Sequence, residues 1–123
     1  MIDITSSVIS ILSRIEETGG RVYRRWPQAN ITMPSVLVSR ISNTPILTDD
    51  TGADVIANVV YSIDINASDQ RTADQIASKA VDALAGYNLQ RTGFNDFYDD
   101  TYRTYRIILT VSGIVDTRGN TFA

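Results

Sequence analysis

The sequence predicts an α+β domain: a mostly antiparallel or mixed sheet of four to five strands, with two helices packed on one face, in the order α-β-β-β-α-(β)-β. Two periodicities predict it. Val55, Ala57, Val59, Tyr61, Ile63, Ile65 and Ala67 alternate with a more polar set, the period of two that a half-buried strand requires. Ile4, Val8, Ile11, Leu12 and Ile15, and later Ala73, Ile76, Ala77, Ala80, Val81 and Leu84, instead recur at helical spacing and make two apolar stripes. Runs of strand pattern with a helix at the start and another in the middle suit a hairpin sheet with its helices gathered on one face.

The first helix has Asp3 or Thr5 available to accept its free N–H groups, and Gly19-Gly20 to end it. Residues 21–26 form a first strand stopped by Pro27, and residues 28–34 a loop. A second strand, rich in β-branched and hydroxyl residues, covers 35–43. Residues 44–53 hold Pro45, Asp49, Asp50 and Gly52 and read as a turn or exposed loop. The long alternating strand over 55–67 follows. The second helix has a capping box at Thr72 and Gln75, unless Ser68 or Asp69 starts it one turn earlier, and Gly86 closes it. Residues 88–98 hold a short strand at most, Asp99-Asp100-Thr101 a turn, and 102–115 a long last strand. Tyr105, Ile107, Leu109, Val111 and Val115 of that strand face inward, Arg103 and Arg106 fall on opposite faces, and residues 116–123 fray. The long strands around Val59 and Leu109 are expected at the sheet centre.

Length and composition set the outer bounds. With 123 residues the chain fits one domain spanning 1–123, large enough to bury roughly two-thirds of its unfolded surface without staples. It contains no cysteine and no histidine, so disulfides, thiolate zinc sites and the commonest general base are all missing. Its formal charge is −3, and Lys79 stands alone beside ten arginines, so the basic stripe of a duplex-DNA binder is not there. No apolar run is long enough to cross a membrane and the N-terminus lacks a signal-peptide pattern, so no membrane partner is expected.

Three constellations could carry function. Asp49, Asp50 and Asp54 could gather a hard divalent cation, but their spacing matches no calcium loop and a solvated acidic turn explains them as well. Asp96, Asp99 and Asp100, among Asn95, Phe97 and Tyr98, could do carboxylate acid–base work or offer a rim to a partner's arginine. Arg24, Arg25 and Trp26 form the one basic-aromatic cluster, a composition enriched at protein–protein hot spots and also able to stack on single-stranded bases. A carboxylate-based metal-dependent enzyme and a small-ligand-binding domain stand as the alternatives to an assembly protein. No phosphate loop, nucleophile elbow or kinase motif is present, so catalytic residues, cofactors and metals are not expected.

The succession VYRRWP, VIANVVYSIDINA, TADQIASKAVDALAG and GFNDFYDDTYRTYRIILTVSGIVD, behind an amphipathic N-terminal helix, resembles the tail terminator, or tail-completion, proteins of long-tailed bacteriophages. The likeness covers about residues 1–116 and lies in element order and length rather than in a signature. It implies a non-enzymatic virion protein, assembled in the host cytoplasm, that forms a hexameric ring at the head-proximal end of the tail. It further implies contacts with the tail tube protein and the head–tail connector, and DNA passing through the lumen without specific binding. A different head–tail connector or neck protein is the nearest competing reading. On this view the interaction residues are Asp49, Asp50, Asp54, Arg24, Arg25, Trp26, Phe94, Phe97, Tyr98, Asp99 and Asp100.

Overall fold

The computed structural model describes residues 1–25 and 32–122. Two helices, α1 (Thr5–Ser13) and α2 (Gln70–Ala85), cover one face of a curled mixed sheet. The strands are β1 (Val22–Tyr23), β2 (Ser35–Thr48), β3 (Asp54–Ala67), β4 (Gln90–Asp99), β5 (Thr104–Asp116) and β6 (Thr121–Phe122). Their order across the sheet is β1-β2-β3-β5-β4, with β6 added to β5 beyond the start of β4. Among the described residues only the β1–β2 pair is parallel. The α+β architecture and the two central strands are therefore as expected.

The core follows from the alternation. Val59, Tyr61, Ile63 and Ile65 of β3 and Ile107, Leu109, Val111 and Val115 of β5 are fully buried against the helices. Ala73, Ala77 and Ala80 of α2 are buried on the facing stripe, where small side chains let the helix lie close to the sheet. Asp69 starts α2, accepting a hydrogen bond from the Thr72 backbone N–H at 2.8 Å, so the earlier of the two expected starts is the one used. At α1, Asp3 rather than a residue at the cap itself takes the first free donor, the Thr5 N–H at 2.9 Å. The Tyr61 hydroxyl lies 3.1 Å from the Thr5 hydroxyl, pinning the start of α1 to the middle of β3. A short 3₁₀ turn, Glu16–Thr18, follows α1 and ends at Gly19 with φ +58°. Gly113 is demanded by crowding, since a Cβ there would lie 2.7 Å from Leu89 Cδ2 and 2.8 Å from the Asn88 carbonyl oxygen, where the chain leaving α2 crosses β5.

Five local expectations are corrected. The first strand is only Val22–Tyr23, and Trp26, with most of the 28–34 loop, lies outside the described residues. The second strand runs on to Thr48, because bulges beyond Arg40 and Pro45 let it stay paired with β3 despite the proline. The segment read as a loop with a short strand at most is the ten-residue strand β4, and only the link from Asp99 to Thr104 is a turn. Arg103 sits in that turn with φ 54°, not on a strand face. Finally, the tail does not simply fray: Thr121 and Phe122 return to pair with Val115 and Ile114.

Candidate functional site

The sheet leaves one face without helix cover. β3 presents Asn58, Val60, Ser62, Asp64 and Asn66 there, flanked by Ser39 of β2 and by Arg106, Ile108 and Thr110 of β5. Asp64 is 8% exposed, and its carboxylate is met by the Arg106 guanidinium and by Asn66 Nδ2 at 3.0 Å. Arg106 also donates to Asp99 Oδ2 at 3.2 Å and lies over the Phe97 ring, 5.2 Å from its centre. Hydrogen bonding to Asp64 raises the guanidinium's already high pKa, so it stays charged at every relevant pH. One arginine thus links β3, β5 and β4 across the open face.

Of the residues singled out from the sequence, Phe97 and Asp99 join this cluster. Asp99 is a structural acid: its Oδ1 accepts the N–H groups of Thr101 at 3.0 Å and Tyr102 at 3.2 Å. These donors, the Tyr102 N–H first, hold its carboxyl below the ordinary carboxylate range. Asp100 is exposed in the turn beside it. On the helix face, the Tyr98 ring meets Tyr105 edge to face at 4.9 Å and 65°. Phe94 is 53% exposed, with the Arg91 guanidinium 5.9 Å from its ring centre. It borders a shallow cleft of about 410 Å³ between α2 and β4, with Asp74, Ser78, Asp82 and Arg91 on the rim and Leu109 at its floor.

The other candidates lie elsewhere. Asp49 closes the β2–β3 hairpin, its Oδ1 accepting from the Thr51 hydroxyl at 2.6 Å, the Thr51 N–H at 2.9 Å and the Ala53 N–H at 3.0 Å. The Thr51 hydroxyl is the main reason its carboxyl titrates below the usual range. Asp50 points into solvent, and Asp54 lies 4.0 Å from the N-terminal ammonium. Among the described residues no three carboxylates converge as metal ligands would. Arg24 and Arg25 are exposed after β1, Arg24 donating to the Ser6 hydroxyl at 3.2 Å.

Sequence reasoning anticipated strand edges open to subunit pairing, but missed the Asp64–Arg106 pair and that β2 and β4 are the strands left bare among the described residues. The polar half of the β3 alternation was the available signal for Asp64, but its partner depends on cross-strand register, which one sequence does not display. The edges carry an unusual load of exposed apolar side chains: Ile41, Ile46 and Leu47 on β2, and Phe94, Phe97 and Tyr98 on β4. Monomeric proteins usually blunt such edges.

Bare strand edges, paired charges and ordered acidic turns equip a surface for contacts between proteins. The comparisons make the class specific. A family model for tail completion protein gp17 matches residues 10–116, so the chain belongs to that family and is a structural protein of a phage tail, in a family that is not enzymatic. Among solved structures, the chain is similar to a chain in the virion of a native gene transfer agent particle. The two share 20% sequence identity with a TM-score of 0.69, covering 92% of this chain and 94% of the other, and the likeness shows a shared fold. No curated protein sequence matches.

Proposed function

We propose that this chain, acting as one domain over its whole length, caps the head-proximal end of the phage tail tube as a ring of identical subunits, six in number. The ring ends tube polymerisation and gives the head connector its docking surface. The observation that carries this reading is the family match across residues 10–116. A ring needs a heterologous interface, in which two different patches of one subunit meet, and a sheet with a bare edge at each end supplies two such patches. A net charge of −3 suits a passage that DNA crosses without being gripped.

Within this reading the hairpin tip at Asp49, Asp50 and Asp54 and the turn at Asp99 and Asp100 dock to the tube protein and the connector. Arg24, Arg25 and Trp26, and the aromatic row of Phe94, Phe97 and Tyr98, serve the remaining contacts. Asp49 and Asp99 hold their own turns, so Asp50 and Asp100 are the residues with free carboxylates to offer. Deleting the gene should give overlong tubes and tails detached from filled heads in negative-stain electron microscopy. Complementation with Asp50→Ala/Asp100→Ala should supply a protein that folds normally, since solvated charges contribute little to stability, yet fails at one of the two joins. Normal tail length and head attachment in the deletion would overturn the proposal.

A further inference from the structure

The two bare edges match each other in more than exposure. β2 and β5 run one way, β3 and β4 the other, because every pair from β2 to β4 is antiparallel. If a second copy is placed beside the first with its sheet continued in the same sense, its β4 arrives next to β2, and the two are antiparallel. The hydrogen-bonding phase agrees as well. The Val36 N–H points outward from the sheet, to the Arg21 carbonyl oxygen on the β1 side at 2.9 Å. Val38 and Arg40, on the same helix-covered face as Val36, therefore turn their N–H and C=O groups to the bare edge. Following the row Val36, Ile65, Ile107, Asp96 across the sheet, the antiparallel pairs alternate between non-bonded and bonded. The row ends with the backbone groups of Asp96 also facing outward. An even number of strands in the row makes both edges present bonding groups on the same face, so they join without turning either sheet over.

Length and chemistry narrow the register. β1 covers β2 only at Val36 and Leu37, which leaves residues 38–48 bare among the described residues, and β4 has 10 residues to lay against them. With the neighbour's Tyr98 opposite Val38, Asp96 falls opposite Arg40, and only Asp99, the last residue of β4, reaches Leu37 at the end of β1. Arg40 and Asp96 are both exposed, of opposite charge and on the same face. The row through Val38 ends within one subunit at Phe94, so this junction carries a stagger, which closing a sheet on itself requires.

We infer that, within the ring proposed above, subunits join through the outer edge of β4 of one copy and residues 38–48 of β2 of the next, Arg40 opposite Asp96, to make one continuous antiparallel sheet. The helices then all lie on one side of that sheet. The uncovered face lines the other side with Ser39, Asn58, Ser62 and Thr110, and with an Arg106 already neutralised by Asp64 and Asp99. A lining of hydroxyls, amides and a satisfied guanidinium has little hold on phosphates.

The chain has no cysteine, so an engineered pair reports without background. In the inferred register Ser39 lies opposite Phe97 in a non-bonded antiparallel pair, whose Cα separation of roughly 4.5 Å lies at the short end of the disulfide range. Ser39→Cys/Phe97→Cys, oxidised in assembled tails or in purified rings, should give a reducible ladder of covalent multimers ending at the ring size. Each single variant should give none, and Ser39→Cys/Gln90→Cys, far out of register, should give none. A ladder from Ser39→Cys/Asn95→Cys in place of Phe97→Cys would support the edge junction with its register moved by one pair. Rings visible by electron microscopy but no ladder from either near-register pair would overturn the junction and leave the ring standing. A cross-link to the tube protein instead of to a second copy would overturn it equally. Absence of any ring on tail ends would remove both this inference and the proposed function.

Discussion

Leu109→Ala tests the core assignment most directly. Leu109 is fully buried on β5, paired across to Ile63 on one side and to Phe94 on the other. The substitution removes three carbons, worth about 2.4 kcal/mol at roughly 0.8 kcal/mol per buried methylene. A cavity term of ~24 cal/mol per Å³ adds about 1 kcal/mol if some 40 Å³ stays empty. The floor of the α2–β4 cleft is open toward Phe94, which is 53% exposed and free to lean inward, so the hole closes in part. The expected loss is therefore about 3 kcal/mol, in the lower half of the usual range for Leu→Ala in a core. Urea unfolding followed by far-ultraviolet circular dichroism measures it, provided it is repeated across protein concentrations, because assembly into a ring would add stability by mass action. Phe94→Ala, taken at a half-exposed site, should cost about 1 kcal/mol or less. A loss below about 0.5 kcal/mol for Leu109→Ala would mean that the buried face of β5 has been misidentified.

Two further outcomes follow from the charges. Arg106→Ala should destabilise by about 2–3 kcal/mol, since it strands the largely buried Asp64 carboxylate, and adding Asp64→Asn should recover at least half of that; equal stability of the single and double variants in urea melts would refute the pairing. For pH, the carboxyls of Asp69 and Asp3 lie below their ordinary value near 3.8, Asp69 chiefly through the Thr72 backbone N–H and Asp3 through the Thr5 hydroxyl. The unfolded chain therefore takes up protons first as pH falls. Their contribution is fully present above about pH 4 and lost as pH drops through the lower folded values. The urea midpoint should fall below pH 4, less steeply in Asp69→Asn, and a slope unchanged by that substitution would count against the cap.

What the sequence made legible was whatever depends on local period. The β3 alternation and the α2 stripe are long enough that packing could only confirm them, and Ile63, Ile107 and Leu109 lie buried as expected. What it hid depends on pairing. β4 reads Gln-Arg-Thr-Gly-Phe-Asn-Asp-Phe-Tyr-Asp, with Gly, Asn and Asp where turn residues are usual, and no propensity argument would make it a ten-residue strand. It is a strand because β5 beside it is a strong template along nearly its whole length. The same holds for residues 44–48, drawn into β2 past Pro45 by their partners on β3. Proline is tolerated there because its missing donor faces the bare edge. Of the expected interaction residues, the acids were legible as turn formers, but the division of labour between Asp49 and Asp50, or Asp99 and Asp100, appears only with the hydrogen bonds.

β4 shows how the fold keeps an edge strand in place without covering it. The helices reach it only along the cleft that Phe94 borders, and its burial is slight throughout. Its order comes instead from lateral ties: Arg106 to Asp99 and across the Phe97 ring on one face, Tyr98 against Tyr105 on the other, and Asp99 fixing the turn that leads back into β5. These ties occupy the side of β4 that faces β5 and leave its outer N–H and C=O groups unused. A helix laid over the strand would have stabilised it more, at the cost of burying the edge. The same economy appears at β2, where β1 ends at Tyr23, opposite Leu37, and the N-terminal segment crosses only the helix-covered face, Asn43 bonding to the Ile2 carbonyl oxygen and Arg40 lying 3.6 Å from Asp3. Among the described residues both edges are therefore ordered from within the sheet and open outward, the condition under which main-chain pairing with a neighbouring subunit demands little further ordering of either strand.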